Sequence, residues 1–349
     1  MTLILRWTGC LFLLLMTTRS YAQPVTPEDY NLKACTLHHP SLGDIRYYIT
    51  TRELQTRKPL LILLEGSGHF PLAVLVKETH RMEVMNTFDQ DMLKMADHFH
   101  VVMIGKPGIP FCDTIQVNGD TAGLEIIDSL LPMPATYRQR SSLTWRAQAA
   151  SAVIDAVCAR FLVNQAQIVV YGYSEGAQVA PKVAVINKKV THCASVFGAG
   201  LNQLYDFIID ARLEALKGHI TYAAAQQRVD SLMQVFADIY RHPGDTRKEW
   251  EGHTYQRWAG YGTELPLHNF SRLSIPLFIA AGMHDRNSLV YGLDYVPLEF
   301  LRLGKTNLTY KVYPTDHFFR NTMDSQDTIH YKQQMLQDLL QWLKMPSSH

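Results

Sequence analysis

Short, continuously apolar runs alternate along the chain with longer segments whose apolar positions recur at helical spacing. Residues 59–64 (PLLILL), 168–171 (IVVY) and 276–281 (PLFIAA) are runs of the first kind. A run of this length between turn residues predicts a strand buried on both faces. Residues 101–105, 194–197 and 308–313 read as further strands, and 34–39 with 44–50 as a hairpin joined at Pro40-Ser41-Leu42-Gly43. Helical spacing predicts helices over 88–98, 142–161, 291–303 and 328–343, with another opening after residue 174. Ser142 or Thr144 caps the second of these. Residues 24–32 read as an irregular lead-in. Residues 106–140, rich in Pro, Gly and Asp, read as a long connection bordering a pocket. Strands alternating with helices predict an α/β protein built on a mostly parallel sheet.

The alternation breaks between residues 201 and about 270. Leu204, Phe207, Ile208, Ala211 and Leu216 suit one amphipathic helix. Val229, Leu232, Met233, Phe236 and Tyr240 suit a second, closed by Pro243-Gly244. Trp250, Tyr255, Trp258 and Tyr261 follow as an aromatic cluster. This segment reads as a helical cap inserted over one edge of the sheet. Its aromatic residues either line an apolar substrate pocket or pack the cap onto the body.

Composition adds a compartment. With 349 residues, 47% of them hydrophobic, the chain is long enough for one large domain carrying an insertion or, equally, for two domains. Residues 1–22 have the pattern of a secretory signal peptide: Arg6, then an apolar core over 7–16, then Ser20-Tyr21-Ala22 before Gln23. The apolar core is too short to span a bilayer, so an exported protein, periplasmic or secreted, with no membrane span after cleavage is expected. Removing Arg6 and Arg19 with the leader takes the formal net charge from +1 to −1. Near-neutrality argues against a nucleic-acid partner and leaves a small molecule or a peptide as the expected substrate. Export permits disulfides among Cys35, Cys112, Cys158 and Cys193, with three pairings if all four are used. The preferred reading is free, buried thiols, because Cys158 and Cys193 fall in a helix and a strand beside residue 174. Neither the cysteines nor the histidine pairs His38-His39 and His98/His100 have metal-ligand spacing, so neither a metal nor another cofactor is expected.

The candidate chemistry centres on Gly172-Tyr173-Ser174-Glu175-Gly176, set between a strand and a helix. A serine between glycines at i−2 and i+2 in that setting is a nucleophile-elbow pattern. Glycine is required because the turn is too tight for side chains at those two positions. The Glu175 amide, at a helix N-terminus, faces the place where negative charge would develop. A second glycine-rich turn, Glu65-Gly66-Ser67-Gly68-His69, leaves the 59–64 strand and offers amides of Gly66, Ser67 or Gly68 to the same charge. Serine needs a base and a group to orient it. Two loops at strand ends supply candidates: Gly282-Met283-His284-Asp285 and Pro314-Thr315-Asp316-His317-Phe318. Asp316 and Asp294 are rival acids, and His284 a rival base.

With GYSEG, the G-x-x-D loop and the D-H-F-F loop in that order, residues 34–343 outside the cap resemble the α/β-hydrolase superfamily. The resemblance implies a three-layer fold with an eight-stranded, mostly parallel sheet. It also implies Ser174 as nucleophile, His317 as base and Asp285 as the orienting acid. The expected activity is that of a carboxylic ester hydrolase, with amide, peptide or thioester cleavage on the same machinery and a non-catalytic binding protein as the alternatives. Two departures stand out. Glu65 occupies the place where many lipases and esterases have histidine. Ala177 follows the elbow where many prolyl-oligopeptidase-like peptidases have a second glycine.

Overall fold

A computed structural model describes residues 25–77, 81–84, 90–116, 131–324, 326–327 and 329–344. The signal-peptide pattern of residues 1–22 lies outside the described residues, as do 117–130 of the long connection.

Eight strands form the main sheet: β1 (Leu32–His39), β2 (Gly43–Thr50), β3 (Lys58–Leu64), β4 (His100–Ile104), β5 (Val163–Tyr173), β6 (His192–Val196), β7 (Leu277–Gly282) and β8 (Leu308–Tyr313). Their spatial order is β1-β2-β4-β3-β5-β6-β7-β8. The β1/β2 and β2/β4 pairs are antiparallel, and every other pair is parallel. The apolar runs are central strands because both faces are covered. Leu60, Ile62, Leu64, Ile168 and Val170 point into one core, with helices Leu143–Arg160, Glu175–Ile186 and Val290–Arg302. Leu61, Leu63, Val169 and Tyr171 point into a second core, closed by Met92, Met95 and helix Tyr331–Lys344. Side chains alternate across a strand, so one continuous apolar run feeds both layers.

The predicted elements stand within a few residues of their places. Of the helix expected over 88–98, residues 88–89 lie outside the described residues, and the rest is Gln90–Lys94 followed by a 3-10 turn at Met95–Asp97. The long connection hides structure that the hydrophobic pattern did not disclose. Cys112–Ile115 pairs in parallel with Ala73–Val76, which pairs antiparallel with Arg81–Val84, in a separate three-stranded sheet. Four-residue strands, one of them paired across 39 positions, leave little local signal.

Between β6 and β7 the chain leaves the sheet for four helices, Gln203–Leu216, Tyr222–Arg241, Tyr255–Thr263 and Pro266–Arg272, with a short hairpin of Glu249–Trp250 and His253–Thr254. Asn202, Thr221 and Thr254 cap the first three, each side-chain oxygen accepting from a first-turn amide. Trp250 and Trp258 pack against each other and against Phe207, with Phe236 beside Trp250. The four cysteines are free; Cys35 and Cys193 are buried, and Cys112 and Cys158 half-buried.

Candidate active site

Ser174 sits between β5 and the Glu175–Ile186 helix with φ 56° and ψ −120°, a backbone conformation that a non-glycine residue adopts only under constraint. The constraint is visible on both sides. A Cβ on Gly172 would lie 2.0 Å from the carbonyl oxygen of Gly176, and one on Gly176 would lie 2.0 Å from that of Leu64. The Ser174 amide donates to the carbonyl of Val196 at 2.9 Å, tying the turn to β6. Parallel pairing of β5 through β8 brings the loops after β7 and β8 to the same edge.

Those two loops are tied to each other. The amides of Met283 and His284 donate to the carbonyls of Tyr313 and Thr315 at 2.8 and 2.9 Å. His317 is thereby placed between Ser174 and Asp285. Its Nε2 lies 3.0 Å from Ser174 Oγ, and its Nδ1 lies 2.7 Å from Asp285 Oδ2. The other Asp285 oxygen accepts from the amides of Asn287 and Ser288 at 2.7 and 2.9 Å. Tyr173 donates its hydroxyl hydrogen to the His317 carbonyl, and Phe197 and Phe319 stack beside the ring. Asp285 and His317 are only 3% and 6% exposed.

The rivals have other partners. Asp316 accepts from the amides of Phe318 and Arg320 and from Arg320 Nε, all within 2.9 Å, and so anchors its own turn. Asp294 accepts from the Tyr310 hydroxyl at 2.9 Å on the surface.

Beneath the serine lies a buried ionic cluster that reading the chain in order did not reveal. Glu175, 3% exposed, accepts from Arg146 Nη1 at 2.6 Å, Arg257 Nε at 2.8 Å and the Tyr261 hydroxyl at 3.0 Å. Burial opposes its charge, but Arg257 and Arg146 outweigh burial and hold its carboxyl well below the usual range. Arg146 also donates to the Glu65 carbonyl at 2.6 Å, and Lys106 Nζ to the carbonyls of Ser67 and Gly68 at 3.2 and 2.7 Å. Burial lowers the Lys106 pKa to about 8 and raises that of its neighbour Glu65, whose carboxylate lies 3.8 Å away. The two cations, Arg146 and Lys106, thus fix the backbone of the turn that carries Ser67, which lines one cavity with Ser174. One signal was available in the sequence: Arg146 is a charge on an otherwise apolar face of its helix, and such a charge is seldom buried unpaired.

That cavity, about 410 Å³, has a mostly polar and charged lining, which favours packing over a pocket wall as the role of the aromatic residues. Its lining includes Asp206, Asp210, Arg228, Glu251, His253 and Arg286 beside Ser174. Of the aromatic cluster, Trp258 alone reaches it; Trp250 packs within the cap, and Tyr261 serves Glu175.

This chain has the α/β-hydrolase fold. The α/β hydrolase GrgF from Penicillium sp. sh18 superposes with a TM-score of 0.52 at 12% identity, over 90% of this chain and 98% of its own. An esterase from Pyrococcus furiosus gives 0.53 at 12% identity, over 92% and 94%. Dipeptidyl peptidase 4 from Porphyromonas gingivalis gives 0.52 at 11% identity over 89% of this chain, which matches 35% of that longer protein. At such identities the likeness is one of fold. No protein-family model matches the sequence, and neither does any curated protein.

Proposed function

We propose that this protein is an exported serine hydrolase that cleaves a carboxylic ester through an acyl-enzyme. The observation that carries the reading is the hydrogen-bonded line Ser174 Oγ, His317 Nε2, His317 Nδ1, Asp285 Oδ2, with links of 3.0 and 2.7 Å. In this reading Ser174 Oγ attacks the carbonyl carbon while His317 Nε2 takes its proton. The tetrahedral oxyanion is held by the amides of Glu175 and of the Gly66, Ser67 and Gly68 turn. His317 passes the proton to the leaving alcohol, and Asp285 holds the ring and stabilises its charged form. Water, deprotonated by His317, then attacks the acyl-enzyme and releases Ser174. The charged lining of the cavity favours a second reading on the same machinery, cleavage of an amide or peptide bond.

The test is turnover of p-nitrophenyl esters from acetate to decanoate, beside aminoacyl and Xaa-Pro chromogenic amides, with Ser174→Ala as control. Ester cleavage lost in the variant supports the first reading, and residue-selective amide cleavage the second. Absence of Ser174-dependent turnover together with no fluorophosphonate labelling of Ser174 would sink both. Export is checked separately: mass spectrometry of the secreted or periplasmic chain should find Gln23 at its N-terminus.

A further inference from the structure

We propose that Asp206 sets the substrate class of this cavity by receiving a primary ammonium carried beside the scissile carbonyl, so that the substrate is an aminoacyl ester or amide. The proposal rests on the hydrolase reading and deepens it. Asp206 lies on helix Gln203–Leu216 and lines the same cavity as Ser174, Ser67 and Gln203. It is 8% exposed, and its Oδ2 has no hydrogen-bond partner among the described residues. A buried carboxylate oxygen without a donor is costly, and native proteins keep few of them without a use.

The cations of the cavity are already engaged elsewhere. Arg286 Nη2 donates to Asp210 at 3.1 Å and to Glu214 at 2.8 Å. Arg228 Nη2 donates to Asp210 at 3.2 Å. His253 is held neutral, its pKa lowered to about 3 by burial and then by Arg257. With Asp206 ionised, the acidic side chains Asp206, Asp210 and Glu251 outnumber Arg228 and Arg286, and of the three only Asp206 keeps a buried oxygen without a hydrogen-bond partner among the described residues. A substrate carboxylate or phosphate brought here would meet that charge. An ammonium brings three donors and the opposite sign.

Two further observations agree. Burial, and next the charge of Asp285, raise the Asp206 pKa to about 8, while the Leu289 amide pulls it down; a bound cation would restore the charged form. The cavity is near the small end of ligand sites, so an ammonium on Asp206 leaves room for only a short acyl unit reaching Ser174. Asp206 makes no hydrogen bond to Ser174, His317 or Asp285 among the described residues, which marks it as a specificity residue outside the proton-transfer line.

The experiment compares two isosteric esters, L-alanine methyl ester and methyl isobutyrate, by acid release in a pH-stat at pH 7.5. The α-ammonium itself activates the ester, so the readout is the change in the kcat/KM ratio: Asp206→Asn should lower the preference for the ammonium ester by about tenfold or more. The ratio is insensitive to damage that both substrates share. A wild-type ratio at or below one, or a ratio that is the same in Asp206→Asn as in wild type, overturns the proposal. If neither ester turns over, the readout becomes the rate of Ser174 labelling by a fluorophosphonate. Protection by L-alaninamide exceeding that by isobutyramide supports the proposal, and equal protection overturns it. A wild-type protein that does not label fails the hydrolase reading itself.

Discussion

Glu175, below the turn that carries Ser174, accepts from two arginines and a tyrosine, whereas Asp206, above it, keeps one oxygen without a donor. Both carboxylates are nearly inaccessible, so burial alone does not separate them. Partners do. Below the turn, Arg257 and Arg146 keep Glu175 ionised, and Arg146 with Lys106 holds carbonyls of the turn at residues 65–68. Above it, the Leu289 amide only partly offsets the burial of Asp206, and its carboxyl is pushed up to about 8. Both regions keep buried atoms without a partner among the described residues, Glu65 Oε1 and Arg257 Nη1 below the turn and Asp206 Oδ2 above it, but of these three residues only Asp206 lines the cavity with Ser174.

The largest expected effect tests the line of atoms that divides the two regions. Ser174→Ala and His317→Ala should each remove about 10^6 of turnover while leaving the thermal melt within a few degrees of wild type. Asp285→Asn should lose about 10^4 in kcat, because the ring loses the partner that fixes its orientation. Full activity in that variant would move the acid role to another residue.

The underside is tested through stability. Arg146→Met leaves Glu175 with one arginine and releases the Glu65 carbonyl, and should cost about 3–5 kcal/mol in urea denaturation. The sign with pH follows from the depressed carboxyl. Its contribution is complete above the ordinary value of 4.5 and is lost as pH falls below that. Wild type should therefore lose stability below pH 4.5 more steeply than Arg146→Met. Asp206 has the opposite sign. Its folded pKa is raised above 3.8, so wild type loses stability as pH rises from about 4 to 8. Asp206→Asn should relieve this by on the order of 3 kcal/mol at pH 8.5, with little change at pH 4. Equal shifts at both pH values would remove the distinction between the two carboxylates. The smallest effect is expected at Asp316→Asn, which loosens a turn outside the proton path and should change turnover by less than about tenfold.

The sheet and the Ser174, His317 and Asp285 positions were legible because their signals are local. A central parallel strand is an uninterrupted apolar run, and the loop that follows it is short and polar. Once the strands are known to be parallel, their C-terminal ends share one edge, and three loops far apart in the chain become neighbours. The two elbow glycines were legible too, since a tight turn between strand and helix forbids side chains there wherever the rest of the chain goes. The aromatic cluster showed the limit of such reasoning. Its composition suited a pocket wall or, the preferred reading, a packed cap, and contacts at ring separations near 5 Å within the cap made it chiefly the second.

The amino-acid sequence by itself determined where the strands lie, where the chain turns sharply and which residues stand at the strand ends, for these depend on steric rules acting over a few residues. Tertiary structure alone decided the fate of the charges. Arg146 and Arg257 reach Glu175 across 29 and 82 positions, and nothing in the sequence near Asp206 distinguishes it from the solvent-facing acids of an amphipathic helix. A charge is stabilised or stranded by what comes within about 4 Å of it after folding, and that neighbourhood is a property of packing.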